Sequence, residues 1–161
     1  MAHLIYNSPI GPIVVSGNKD YIEEVRFLEP HHIRPTVAEN PAKPLQKAAE
    51  QLTEYFCGLR QEFDLPLVPT GTPFQQLVWE TINQIPYGET RSYKEVADML
   101  NLSGGARAVG MAAANNPFLL LVACHRVIGS SGVLTGYAGG VLRKRWLLQH
   151  EGQSVQLPLF A

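Results

Sequence analysis

Cysteine is scarce in this chain, long apolar runs are absent, and charge is sparse and nearly balanced. Two cysteines, Cys57 and Cys124, cannot build a disulfide framework. No apolar run approaches the ~20 residues needed to cross a bilayer. Met1-Ala2-His3-Leu4 has no basic segment leading into an apolar one, so no secretory signal is visible. Together these absences point to a protein of a reducing cytoplasm without a membrane role. Low-complexity tracts and internal repeats are also missing. Charged residues make up 17% of the chain and the formal net charge is −1, which by itself argues against a polyanion binder. The distribution is more permissive. Residues 1–70 carry 6 Lys+Arg against 9 Asp+Glu, a net of −3, while residues 71–161 carry 7 against 5, a net of +2. A mildly basic second half is compatible with phosphate contacts and equally with a solvated surface.

With 161 residues, 45% of them hydrophobic, the chain suffices for one ordinary domain or two small ones. Residues 3–7 and 13–16 read as strands around the turn Ser8-Pro9-Ile10-Gly11-Pro12, and 21–27 as a third. Residues 29–44 hold four prolines and the pair His31-His32 and read as a loop. Residues 45–56 have the spacing of an amphipathic helix that Gly58 stops. Residues 59–72 read as an extended crossing segment. Thr72-Pro73-Phe74-Gln75 and Ser92-Tyr93-Lys94-Glu95 are capping boxes, each opening a helix. Residues 106–114 form a further helix of unusually small side chains. With the break at 101–104 it makes a helix-turn-helix candidate. Such a helix suits close core packing or a nucleic-acid groove, with Arg107 as its one long basic arm. Residues 140–150 form the last helix, ended by Glu151-Gly152. No metal cluster is expected, because His31-His32 lacks a further ligand pattern nearby.

The segment Leu119-Leu120-Leu121-Val122-Ala123-Cys124-His125-Arg126-Val127 carries the chemistry. Phe118 to Cys124 is an apolar run that predicts a buried strand. Such a strand delivers a thiol to the edge of a dry core, with two basic side chains behind it. Positive neighbours favour the nucleophilic thiolate, whereas burial alone describes an inert cysteine. The residues themselves leave both readings open. Consecutive strand residues face opposite ways, so direct Cys124–His125 contact requires a turn or a bridging group.

Taken in order, several motifs resemble those of the O6-alkylguanine-DNA alkyltransferases. They are Ala106-Arg107-Ala108-Val109-Gly110, Asn116-Pro117, Cys124-His125-Arg126-Val127, Gly136-Tyr137-Ala138-Gly139-Gly140 and Trp146-Leu147-Leu148-Gln149-His150-Glu151-Gly152. The match runs from about Thr72 to Gly152, with a weaker echo at residues 8–12. The resemblance implies an α/β protein: a small N-terminal α/β, ribonuclease-H-like subdomain with a crossing segment (1–70), a helical subdomain with a helix-turn-helix (71–152) and a tail (153–161). It implies direct-reversal DNA repair. O6-alkylguanine, and by extension O4-alkylthymine, is flipped from double-stranded DNA, and its alkyl group moves irreversibly to Cys124, once per molecule. No cofactor and no metal are implied, and a monomer is expected.

Site roles follow from the same resemblance. Cys124 is the acceptor, His125 the base acting through a water, Glu151 the carboxylate that orients it, and Tyr93 the phenol that helps the guanine leave. Arg107 is the finger that fills the place of the flipped nucleotide, with Ser92 and Ala106 on the DNA face. Asn116 braces the helix-turn-helix near the cysteine. Val127, Tyr137 and Ala138 line the guanine pocket, largely through backbone groups. Arg126 is expected at most to pair with a structural carboxylate. Ala123 departs from the family's usual proline, which puts substrate preference in doubt more than chemistry. The tail Gln156-Leu157-Pro158-Leu159-Phe160 resembles peptides that dock bacterial repair proteins on the sliding clamp, and it reads equally as an apolar tail packing on its own domain. The alternatives are a non-enzymatic binder of alkylated DNA that recruits other repair, a cysteine hydrolase, and a plain helix-turn-helix regulator. Cys124 speaks against the first, Arg107 and the helix-turn-helix against the second, and the idle Cys-His-Arg-Val segment against the third.

Overall fold

The computed structural model describes residues 1–132 and 134–153, and the chain divides into two compact units, Met1–Pro69 and Thr70–Ala161. The clamp-like tail at 156–160 lies outside the described residues. No helix among the described residues is long and apolar enough to cross a membrane.

The first unit is built on an antiparallel sheet in the order β1 (Ala2–Ser8), β2 (Gly11–Gly17), β3 (Ile22–Phe27). Ser8 fixes the first hairpin turn, its hydroxyl donating to the Gly11 carbonyl. Between β2 and β3 the Asn18 carboxamide accepts from the amides of Asp20 and Tyr21, an Asx turn of the kind asparagine favours. Helix α1 (Lys43–Phe56) covers the sheet with Leu45, Ala48, Leu52 and Tyr55, all fully buried at helical spacing. It begins two residues before the sequence predicts, because Pro44 is well placed in a first turn that needs no amide donor there. The stretch at 59–72 is more than a connector. Leu67 runs parallel to β3 at Ile22, with hydrogen bonds Ile22 N–H to Pro66 O (2.7 Å) and Val68 N–H to Ile22 O (2.8 Å). Gln51 ties it down by exchanging two 2.9 Å hydrogen bonds with the Asp64 backbone.

The second unit is helical. Both capping boxes close as the sequence predicts. Thr72 Oγ1 accepts from Gln75 N–H at the start of α2 (Pro73–Ile82), and Ser92 Oγ accepts from Glu95 N–H at the start of α3 (Tyr93–Met99). In each box the third-position side chain accepts from the cap's own amide. Helices α3 and α4 (Ala106–Ala114) pack together as the helix-turn-helix, its tight turn passing through Asn101 at φ 55°. The buried indole of Trp79 on α2 donates to the Ala112 carbonyl of α4 at 2.9 Å. Helix α5 (Val141–His150) closes the unit.

The strand predicted over 118–124 does not form. Leu120 sits at φ 72°, in the left-handed region that costs a non-glycine residue about 1–2 kcal/mol, and the chain doubles back through a Leu119–Val122 bridge. Hydrophobicity signalled burial correctly, since every residue from Phe118 to Val127 is buried, but a buried turn gives the same composition as a buried strand. Cys124 opens a single 3-10 turn, Cys124–Arg126, and only Val127–Ile128 is extended, as β5.

The Thr72 box is exposed and makes a clean test of this local reading. Thr72→Ala is expected to cost about 1 kcal/mol in urea denaturation, and Thr72→Ser far less, because serine keeps the oxygen that accepts from Gln75.

Candidate functional site

The turn that carries Cys124 is gripped from three sides. Asn116, just past α4, accepts from Phe118 N–H at 2.9 Å and donates to the carbonyls of Phe118 and Val122 at 3.3 Å. The end of α2 holds the residues that flank Cys124 and His125. Asn83 Oδ1 accepts from Ala123 N–H at 3.0 Å, and the Ile85 carbonyl accepts from the Arg126 guanidinium at 2.8 Å. Downstream, β5 pairs in parallel with β4 (Arg91–Ser92), Arg91 opposite Val127 and Ser92 opposite Ile128. β4 leads directly into α3, whose first residue is Tyr93. One short ladder therefore fixes the turn bearing the thiol relative to the helix bearing the phenol.

Behind the turn lies a buried charge cluster. Glu151, the C-cap residue of α5, has a fully buried side chain. Its Oε2 accepts from His125 Nε2 at 2.8 Å and from Arg126 at 3.2 Å, and its Oε1 accepts from Arg126 Nε at 2.8 Å. Burial alone would push this carboxyl up. The hydrogen bonds and charges of His125 and Arg126 overcome that and hold it well below the usual carboxylate range. For His125 burial wins over its Glu151 partner and lowers the pKa, favouring neutral imidazole. With Nε2 donating to Glu151, a neutral ring carries its lone pair on Nδ1. That atom is buried and has no hydrogen-bond partner among the described residues. Burial pushes the Cys124 thiol up to about 12, against a hydrogen bond from Asn116 and the charge of Lys144.

Cys124 lines a cavity of about 230 Å³, whose walls are Tyr93 from α3, Gly110, Ala113 and Ala114 from α4, and Gly136, Tyr137 and Ala138 from the loop before α5. Five of these eight lining residues are glycine or alanine, so the room comes from the absence of side chains. A methyl group added at Gly110 would stand 3.8 Å from the Tyr93 ring. Arg107 is exposed on α4. It precedes Gly110 by three residues and Ala114 by seven, which places all three on one helix face.

Most of the residues singled out from the sequence converge here, but not all in the expected way. Cys124, Tyr93, Tyr137 and Ala138 meet in the cavity, with His125, Glu151 and Asn116 supporting the turn. Ser92 is buried, its hydroxyl taken up as the cap of α3, and Ala106 is the half-buried first residue of α4. The Val127 side chain is fully buried in β5, which pairs with β4, so only its backbone groups remain for the pocket role that the resemblance implies.

Arg126 pairs with a buried carboxylate, as the sequence suggested, and that carboxylate is Glu151. Two residues escaped the sequence reading. Asn83 holds Ala123. Lys144 is fully buried, donates to the Gly136 carbonyl at 3.1 Å and stands 5.8 Å from the centre of the Tyr93 ring. Burial lowers its pKa to about 8, with Cys124 acting in the opposite direction. The run Arg143-Lys144-Arg145 looks like a solvated face. Its spacing tells otherwise, since Lys144 lies three and four residues before the buried Leu147 and Leu148.

Residues 73–153 match the family model of the 6-O-methylguanine DNA methyltransferase DNA binding domain, and residues 1–69 match that of the ribonuclease-like domain of the same family. A methylated-DNA–protein-cysteine methyltransferase of Mycobacterium tuberculosis is 48% identical over 147 residues, covering 90% of this chain and 88% of the relative. A protein of the same name from Methanosarcina barkeri is 44% identical over 159 residues, covering 97% and 100%. The crystal structure of Mycobacterium tuberculosis OGT in complex with DNA matches at 46% identity with a TM-score of 0.85, over 94% of this chain and 92% of that one. Both halves of the sequence, the fold and the cysteine cavity thus agree, and the chain belongs to the 6-O-methylguanine DNA methyltransferase family.

Proposed function

We propose that this protein repairs O6-alkylguanine in double-stranded DNA by moving the alkyl group to its own Cys124. The observation that carries the reading is a buried thiol opening into a cavity walled by small residues, on the same helix as an exposed arginine. A planar base cannot reach a buried thiol from within a duplex, so the nucleotide must rotate out of the stack. Helix α4 serves both ends of that step. Arg107 occupies the space left in the duplex, and Gly110, Ala113 and Ala114 leave room for the base beside Tyr93.

In the transfer the thiol proton passes to Nδ1 of His125, directly or through a water, while Glu151 stabilises the imidazolium that forms. This is the logic of a nucleophile, a base and an orienting third group. Sγ attacks the alkyl carbon, the S–C bond forms and the C–O6 bond breaks. The Tyr93 phenol, hydrogen-bonded with Thr135, donates toward the departing guanine, which recovers a proton and leaves unmodified. The thioether has no ready hydrolytic exit, so one protein molecule repairs one base. O4-alkylthymine presents the same alkyl–oxygen bond and belongs to the same substrate class. The reading of 156–160 as a clamp-docking peptide rests on its sequence.

Incubation with a duplex containing O6-methylguanine is expected to place one methyl per protein on the peptide containing Cys124, with no turnover. Cys124→Ala is expected to bind the duplex and accept nothing. Turnover, or methyl on Cys57, would contradict the reading. His125→Ala should slow transfer on the order of 10²–10⁴-fold in single-turnover kinetics, the usual range for a lost general base.

Glu151→Gln leaves the buried Arg126 without its counter-charge and is expected to cost about 3–5 kcal/mol in urea denaturation at neutral pH. The sign of its pH dependence follows from the depressed carboxyl pKa. The charge contribution of Glu151 is complete above its ordinary pKa of 4.5 and fades as pH falls through the lower, folded value. The gap between the two proteins should therefore narrow only in acid.

A further inference from the structure

We propose that Asn83 is a positioning residue for alkyl transfer, acting through the backbone amide of Ala123. Asn83 is the C-cap of α2, and its own amide donates back to the Trp79 carbonyl at 3.0 Å. Its side-chain Oδ1 reaches 40 residues along the chain to accept from Ala123 N–H at 3.0 Å. Ala123 is buried and immediately precedes the acceptor cysteine.

The links on either side of this bond give it consequence. Upstream, the Trp79 indole is bonded to Ala112 on α4, the helix that supplies Gly110, Ala113 and Ala114 to the cavity wall. Downstream, one peptide bond separates Ala123 from Cys124. The path from cavity wall to sulfur thus runs through Trp79, the last turn of α2, Asn83 and the Ala123 amide. Arg126, bonded to Ile85, fixes the far side of the same turn to the same helix end. Removing the Asn83 acceptor frees the Ala123 amide while Asn116 still holds the Val122 carbonyl and Ile85 still holds Arg126, so the segment between those anchors shifts and the thiol moves relative to the base bound in the cavity. Asn83 is itself exposed, so replacing it removes the hydrogen bond without opening a cavity.

Ala123 has φ −77°, within the range a proline ring imposes, so proline fits the backbone here while deleting the donor. This permits a closed test, and the proposal rests on Cys124 as acceptor. Four variants are compared with the wild type: Asn83→Ala, Asn83→Asp, Ala123→Pro and the double variant Asn83→Ala/Ala123→Pro. For each, the single-turnover methyl-transfer rate at saturating O6-methylguanine duplex, the affinity for that duplex and the thermal midpoint are measured. Asn83→Ala is expected to slow the transfer step by about 10–100-fold, since a ~1 Å misplacement of a reacting group costs on the order of 10²-fold. Its duplex affinity should stay that of the wild type. Asn83→Asp keeps the acceptor and should keep the rate. In the Ala123→Pro background there is no N–H to hold, so Asn83→Ala should change nothing further. A wild-type rate for Asn83→Ala, or an equal slowing in both backgrounds, overturns the proposal while leaving the repair reading intact. Should the proline variant not fold, loss of rate in Asn83→Ala with recovery in Asn83→Asp decides the matter, and slowing in both overturns it. Absence of any transfer by the wild-type protein would instead overturn the repair reading itself.

Discussion

A carboxylate at the end of α5 is out of water, and the geometry of the thiol-bearing turn follows from how its charge is met. A helix C-terminus is an unfavourable place for a negative group, and an unpaired buried carboxylate is costlier still. Glu151 is accommodated because His125 and Arg126 both reach it. They do so from adjacent positions, which a strand would forbid by pointing them to opposite faces. The 3-10 turn Cys124–Arg126 allows it. The same contacts fix the imidazole ring, settle which of its nitrogens is committed, and leave the other for the proposed proton transfer beside Cys124. The cluster costs desolvation energy that an apolar replacement would avoid. Its retention makes sense as a device for holding one side chain in one orientation.

The cavity is organised by absence. Glycine and alanine on α4 contribute little to a core, yet their lack of bulk leaves open the space next to Tyr93 and Cys124. That wall lies on the second helix of the helix-turn-helix. A helix presents residues three and seven apart on the same face, so the two tasks of the proposed repair, filling the duplex and receiving the base, fall in register on one rigid element. Lys144 adds a buried cation near Tyr93.

Much of this was legible in the sequence because it is local. Capping boxes at Thr72 and Ser92 involve four residues each, so the starts of α2 and α3 are set by chemistry that a linear reading sees; the amphipathic period of α1 marks the helix, though not its first two residues. The three N-terminal strands alternate with marked turns and are equally plain. What failed was non-local. Phe118–Cys124 has the composition of a strand, and nothing in it announces that Leu120 adopts a positive φ; the turn is bracketed by Asn116, whose side chain bonds Phe118 and Val122 on either side of Leu120. Lys144 was lost among basic neighbours, although its register with Leu147 and Leu148 marks the buried face. Asn83 carried no signal at all, since its partner is a backbone amide 40 residues away.

The central claim is that Cys124 rests as a thiol beside a neutral His125 whose free lone pair is on Nδ1, held so by Glu151. The most direct test is the nitrogen-15 spectrum of the His125 ring in the unliganded protein at neutral pH. The account predicts a neutral imidazole with its proton on Nε2. A ring protonated on both nitrogens, or a neutral ring with its proton on Nδ1, would contradict it.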